Sequence, residues 1–438
     1  MHVRIINQRL KALPEAVVAD SSVRSLQFAG NALTTLPAAL AELPALTDLG
    51  LASNELLRLQ PEVLSALGGL RALSLSGNQL RELPPSIGVL RLLETLALGG
   101  NLLQSLPKQI GECVGLRMLN LSENALQSLP AELGALRGLR TLRIDANPNL
   151  ERLPDEVCDL ERLEALSVAA CGLRELPERL GALSSLSTLQ AKDNRLVSLP
   201  ASTGALKRLR TLGLSGNRLV ELPPELNDCA ALRMLALSAN RLRALPPLEA
   251  LSALDELRLD DNPLEALPEA AAFPPRLRVL GLSVCSGVRA LPAQLGTLTQ
   301  LTQLSAGACR LASLPHSTCE LRALTTLQLS GNQLVALPDS LGLLAASLTA
   351  LEVSDNRLAT LPDPTCNLVH LRSLRAAENQ LERLPDSLGD LAALRVLSIA
   401  ANRLHGLPPS IGCCSTITWS SGAGGTPSST LGSGIATS

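Results

Sequence analysis

The chain has 438 residues, 46% of them hydrophobic and 18% charged, with a formal net charge of -2. That much apolar side chain fills a large core and excludes a disordered polyampholyte, while the near-neutral balance excludes a whole-protein pull towards nucleic acid or anionic membrane. Phe28, Phe273 and Trp419 are the only aromatic residues, so the core is aliphatic.

The opening stretch MHVRIINQRLKALPEA has no apolar run of signal-peptide length. No later run approaches the roughly 18 uncharged apolar residues of a membrane span, so a cytoplasmic address without membrane insertion is expected. A repeat starts at once. Val3, Ile5, Gln8, Leu10, Leu13 and Pro14 form an incomplete first copy, and 17 full copies of LxxLxLxxNxLxxLPxxLGxL follow. Their asparagine positions are Asn31, Asn54, Asn78, Asn101, Asn124, Asn147, Cys171, Asn194, Asn217, Asn240, Asn262, Cys285, Cys309, Asn332, Asn356, Asn379 and Asn402. The mean period from Asn31 to Asn402 is about 23 residues, a length diagnostic of repeat architecture.

With the first Leu as slot 1 and the Asn as slot 9, apolar slots 4 and 6 alternate with polar slots 3, 5 and 7, which predicts one short strand per coil over slots 3 to 7. Slots 1, 11, 14, 18 and 21 are also apolar, giving seven inward side chains per coil. One such coil cannot offset the entropy of ordering its own residues, so neighbours must stack into a solenoid. The slot 9 side chain is placed to bond backbone groups left open where the strand turns away, one coil above the next. A proline follows slot 14 in every unit except at Leu59-Gln60-Pro61, favouring an extended or 3₁₀ return over a full α-helix.

These motifs resemble the leucine-rich repeat superfamily, and within it the intracellular "LP" type of Scribble, Erbin, Ras suppressor protein and the plant Ras-group proteins. The resemblance covers residues 3 to about 417. It implies an α/β-type solenoid, a right-handed leucine-rich repeat horseshoe with a parallel concave sheet and a helix-poor convex side. Residues 1–419 would form the solenoid and the Gly/Ser-rich stretch 420–438 a disordered tail, with Trp419 over the exposed end of the core.

Ten cysteines fall almost wholly into the register. Cys171, Cys285 and Cys309 replace slot 9, Cys158, Cys319 and Cys366 take the Gly slot, and Cys113, Cys229 and Cys414 take a Leu slot. Scattered in this way they predict reduced structural thiols, not a disulfide framework. Cys413 with Cys414 reads either as a redox or acylation site or as a frayed last coil. Cys366 and His370 are the one nucleophile-base pairing on offer, in slots that elsewhere do structural work. No GxxxxGK[ST], HExxH, GxSxG or paired CxxC occurs, so no enzyme, cofactor or metal is expected.

Function is left to the concave surface, where slot 5 runs from Gln27 and Gly50 to Arg375 and Ser398, small and polar. About 17 strands at about 4.8 Å spacing would give an inner edge on the order of 80 Å, enough for a folded protein partner. Arginine is the only hot-spot residue on that face. The densest charge lies at Lys192, Asp193, Arg195, Arg218, Arg241, Arg258, Asp260 and Asp261, with Arg210 and Arg233 in slot 2 nearby. Two readings stand: a solvated face in which Asp193, Glu256, Asp260 and Asp261 neutralise the arginines, or an anchoring patch for an acidic protein surface. The resemblance implies a monomeric, non-enzymatic scaffold in small-GTPase or kinase-pathway signalling. The alternatives are a regulatory module of a larger kinase, cyclase or ubiquitin ligase, and an extracellular recognition receptor.

Overall fold

The structure is a computed structural model describing residues 1–413 and 418–419. The expected tail from 420, Cys414 and the capping side chain of Trp419 lie outside what is described. The chain divides into two compact units, Met1–Leu219 and Val220–Ser438, taken here one at a time.

Unit 1 carries ten short strands: β1 (His2–Arg4), β2 (Ser25–Gln27), β3 (Asp48–Gly50), β4 (Ala72–Ser74), β5 (Thr95–Ala97), β6 (Met118–Asn120), β7 (Thr141–Arg143), β8 (Ala165–Ser167), β9 (Thr188–Gln190) and β10 (Thr211–Gly213). Each pairs in parallel with the next, slot 4 leucine opposite slot 4 leucine, as in Leu26 with Leu49 and Leu96 with Leu119. Unit 2 continues the pattern with nine: β11 (Met234–Ala236), β12 (Glu256–Arg258), β13 (Val279–Gly281), β14 (Gln303–Ser305), β15 (Thr326–Gln328), β16 (Ala350–Glu352), β17 (Ser373–Arg375), β18 (Val396–Ser398) and β19 (Thr418–Trp419). Its pairings are again all parallel and in register. The seven inward slots behave as read. In the coil from Leu116 to Leu136 the side chains of Leu116, Leu119, Leu121, Leu126, Leu129, Leu133 and Leu136 are all buried.

The strands stop at slot 5, short of the expected slot 7, for a reason that lies in the backbone. Hydrogen bonding continues, with Leu75 N–H donating to Ala97 O and Gly77 N–H to Gly99 O, both 2.8 Å. Slot 8, however, takes positive φ in all 17 full units, and in Asn7 of the first. This left-handed residue turns the chain out of the sheet towards slot 9. Glycine fills it at Gly30, Gly77, Gly100, Gly216 and Gly331; elsewhere the scaffold holds a residue in a conformation costing roughly 1–2 kcal/mol. Asp193, Asp261 and Asp355 tolerate it better than most. Val284, β-branched and at φ 62°, tolerates it least.

The return side is built from 3₁₀ turns such as Lys108–Glu112, Ala131–Ala135 and Asp155–Asp159, each entered through a proline near φ -70°. Where that proline is displaced to Pro61, the turn becomes a short α-helix, Pro61–Ala66, with proline at its first position. A second short α-helix, Glu15–Val18, follows Pro14. With only these two short α-helices among the described residues, the return side is helix-poor as expected. The Gly slot exists because successive turns nearly touch: a Cβ on Gly134 would lie 2.6 Å from Glu156 O.

Slot 9 ties each coil to the one before it. Asn101 Nδ2 donates to Leu75 O (3.0 Å) in the preceding coil and to Leu98 O (2.9 Å) in its own, while its Oδ1 accepts Leu80 N–H (3.1 Å). In unit 2 Asn379 does the same with Val353 O, Ala376 O and Leu358 N–H. A thiol reproduces the donor half only: Cys171 Sγ reaches Ile144 O at 3.2 Å and Cys309 Sγ reaches Leu282 O at 3.1 Å. For Cys171 and Cys309 the coil below needs no outside acceptor, whereas Cys285, with Sγ 3.4 Å from Leu259 O, follows Asn262-Pro263-Leu264, which has no extra residue. In Asn147-Pro148-Asn149-Leu150 and Cys285-Ser286-Gly287-Val288 one extra residue lets Leu150 N–H bond Asn147 O and Val288 N–H bond Cys285 O, each at 3.0 Å.

Replacing Val284 by glycine removes the left-handed strain and no buried contact, since the side chain is 50% exposed. Urea unfolding of Val284→Gly should show a gain of about 1 kcal/mol, the reverse of the usual loss for a core-lined repeat.

Candidate partner-binding face

On the strand side, slots 2, 3, 5 and 7 are free to vary, and their environment can be traced coil by coil. In unit 1, slot 2 forms a column of ion pairs: Arg71 with Glu94 (2.7 Å), Glu94 with Arg117 (3.7 Å) and Arg140 with Glu164 (2.9 Å). All are partly exposed and screened, each worth less than about 1 kcal/mol. Arg71, Glu94, Arg117, Arg140 and Glu164 recur about 23 residues apart in the chain, a signal of the column that the sequence carries beside Arg210 and Arg233.

Four of the eight expected binding residues belong to unit 1. Lys192 stands exposed in slot 7, and Asp193 is the left-handed slot 8 residue of its coil, at φ 57°. Arg195 and Arg218 occupy slot 10 in adjoining coils, beyond the turn and so at the rim of the sheet. Their backbones are fixed by N–H bonds to Leu173 O (2.7 Å) and Leu196 O (2.9 Å), while both guanidinium groups are exposed. Among the described residues neither has a carboxylate within ion-pair distance.

The other four belong to unit 2. Arg241 is exposed and likewise has no carboxylate within ion-pair distance among the described residues. Arg258 is paired through Nε with Glu256 on its own strand. Asp260 works as a brace: its Oδ1 accepts Ser283 N–H at 2.9 Å and its Oδ2 lies 3.3 Å from Ser238 Oγ. Asp261 is again a left-handed slot 8 residue, at φ 56°. Of the acids grouped with the arginines, Asp260 is thus engaged in hydrogen bonds and Glu256 with Arg258, and among the described residues no ion pair joins any of the four to slot 10. Asp145 in unit 1 is the same kind of brace, accepting Ala169 N–H at 2.8 Å and Ser167 Oγ–H at 2.5 Å.

The cysteine chemistry runs against a nucleophile. Burial pushes Cys171 and Cys158 up to about 11 and Cys113 and Cys285 up to about 12 from an ordinary 9.0. Cys366, half-buried, is also raised, by desolvation and then by Asp363 and Asp390, whereas an attacking thiol needs the opposite shift. The eight cysteines whose side chains are described are all free. Among the described residues no helix is long and apolar enough to cross a membrane.

A family model described as a leucine-rich repeat region matches residues 108–194, and a leucine rich repeat model matches 21–80, 45–103 and 184–242. Residues 21–103 and 108–242 are thus leucine-rich repeats. It is similar to a solved leucine-rich-repeat protein of Leptospira interrogans, with 29% identity, 94% of each chain covered and a TM-score of 0.66. It is similar too to the plant peptide hormone receptor RGFR1 in complex with RGF2, with 25% identity over 94% of this chain and 70% of that one and a TM-score of 0.75. YopM from Yersinia enterocolitica shares the fold at 24% identity over 96% of this chain and 91% of that one, TM-score 0.58. No curated protein matches the sequence. Leucine-rich repeats of this kind generally mediate protein-protein interaction.

The raised thiols give the repeats a pH signature. Cysteines that stay protonated in the folded chain but ionise in the unfolded one contribute stability that is complete below about pH 9 and is lost as pH rises towards 11 to 12. Urea midpoints should fall across that window. Replacing Cys171 and Cys285 by Ala should shrink the fall, and thiol reagents at neutral pH should label Cys171, Cys285 and Cys309 only after unfolding.

Proposed function

We propose that the protein is a non-enzymatic scaffold that holds protein partners against the strand face and its rim. One observation carries this reading. The seven inward slots repeat aliphatic side chains, mostly leucine, coil after coil, whereas slot 5 changes identity at every step from Gln27 to Ser398 and slots 2, 3 and 7 vary with only short runs of one residue. A surface that varies on an invariant frame is suited to recognition and not to a single repeated chemistry. The likeness to RGFR1, solved in complex with RGF2, supports a polypeptide ligand.

Within this reading each unit carries its own acid-binding rim, Lys192, Asp193, Arg195 and Arg218 in unit 1 and Arg241, Arg258, Asp260 and Asp261 in unit 2. Arg195 and Arg218 anchor the first and Arg241 the second, because guanidinium groups without internal partners are available for bidentate bonds to a partner's carboxylates. Asp193, Asp260 and Asp261 hold the turns that present them. The LP-type pattern, with proline after slot 14, favours a role in small-GTPase or kinase-pathway signalling, and the free thiols favour the cytoplasm.

The double variant Arg195→Ala, Arg218→Ala tests the rim of unit 1. Its urea midpoint should match the parent's, since the two side chains are exposed, while capture of partners from lysate should drop and the parent's capture should weaken with salt. Equal capture by parent and variant at low and high ionic strength would remove the rim from the binding surface.

A further inference from the structure

We infer that the strand face of unit 1 holds a second anchor, centred on Arg143 and Met118, that takes the side-chain carboxylate of an Asp or Glu on a protein partner beside an apolar residue. It rests on the protein-binding reading above but uses different residues. Strands β6 and β7 pair in register, placing Met118 opposite Thr141 and Asn120 opposite Arg143. All four are in slots 3 and 5, which face away from the core.

The case for Arg143 is that the carboxylates in slots 2 to 7 of the coils around it are already engaged. Glu94 pairs with Arg71 and Arg117, and Glu164 pairs with Arg140. Asp145, two residues along the same coil, is taken by Ser167 Oγ–H and Ala169 N–H. Arg143 is exposed and, among the described residues, has no ion-pair partner. Its surroundings are low: Ser167 and Thr141 are short, and Asn120 is bent back by accepting Ser122 N–H at 3.0 Å so that its amide lies over Gly99. The guanidinium therefore stands above a floor of small polar groups. Beside it Met118 is 45% exposed, in a strand otherwise flanked by threonine and alanine. A long unpaired arginine next to an exposed thioether combines the charged and adaptable apolar contacts that concentrate binding energy at interfaces.

Charge selects the occupant. Slots 2 to 7 of the five coils from Arg71 to Glu164 contain four arginines, Arg71, Arg117, Arg140 and Arg143, and three carboxylates, Glu94, Asp145 and Glu164. The surplus is a single positive charge. It is complementary to one carboxylate and falls short of a phosphate, which carries about -1.5 to -2 at neutral pH.

The chain has three methionines, Met1, Met118 and Met234, so methyl-labelled methionine gives an NMR spectrum in which one signal reports on this anchor. The probe is the blocked peptide acetyl-Ser-Leu-Glu-Leu-Ser-amide, titrated into the full chain beside its glutamine and phosphoserine counterparts. The Met118 methyl should shift saturably with the glutamate peptide while Met1 and Met234 stay in place. Affinity should fall roughly tenfold or more with the glutamine peptide and in Arg143→Gln, and Arg208→Ala, at an exposed arginine outside both sites, should leave the titration unchanged. No Met118 shift, an equal response to glutamine, or an undiminished response in Arg143→Gln overturns the anchor. Tighter binding of the phosphoserine peptide overturns its assignment to a carboxylate. The rim variant reports on protein binding at large, so either result can fail without the other.

Discussion

Each coil is held to its predecessor by a buried amide, and the rest of the structure follows from that link. Slot 9 sits where the chain leaves the sheet, beside a slot 6 carbonyl and a slot 11 N–H that both belong to the coil before, the N–H having no other partner among the described residues. A single asparagine satisfies both and adds a bond to its own slot 6 carbonyl, as Asn101 does with Leu75, Leu80 and Leu98. Because the same side chain bridges two coils, it sets their register, and the leucines of slot 4 then stack strand over strand. The positive φ at slot 8 is the cost of aiming slot 9 inward. Non-glycine residues accept it because the ladder and the seven buried aliphatics over-determine the turn.

The cysteine substitutions show what the ladder requires. A thiol donates to the slot 6 carbonyl of the coil before but accepts poorly, so it leaves one N–H without a partner. At Cys171 and Cys309 the preceding coil is one residue longer between slots 9 and 11, and that N–H closes on its own coil instead. Sequence length in one coil thus compensates for side-chain chemistry in the next.

Much of this was legible from the residues. Seventeen aligned asparagine positions fixed the register, the alternation of slots 4 and 6 with polar neighbours fixed the strands, and the prolines fixed a 3₁₀ return. What was not legible is conformational or relational. The left-handed slot 8 carries Gly in only some coils and otherwise Ser, Glu, Ala, Asp or Val, so no residue type announced it, and the strands consequently end earlier than their polarity suggests. Asp193 and Asp261 read as surface charge when their position is a turn, and Asp260 read likewise when it braces the next coil. Arg143 was visible as one exposed arginine among many. Its distinction, that the carboxylates around it are already committed, depends on pairings between coils that lie about 23 residues apart in the chain.

The frame and the surface therefore have separate chemistries: amides and aliphatics repeat to make the solenoid, and unrepeated charges on the strand face make it selective. The claim that the buried amide is the link is tested most directly by urea unfolding of Asn101→Ala. The alanine leaves the buried Leu80 N–H without its acceptor, while the Leu75 and Leu98 carbonyls lose one of two amide donors and keep Asn78 Nδ2 (2.8 Å) and Asn124 Nδ2 (3.0 Å), and the account predicts a loss of about 2 kcal/mol. A loss below about 0.5 kcal/mol, the scale of an ordinary surface substitution, would contradict it and leave leucine packing alone as the force that orders the coils.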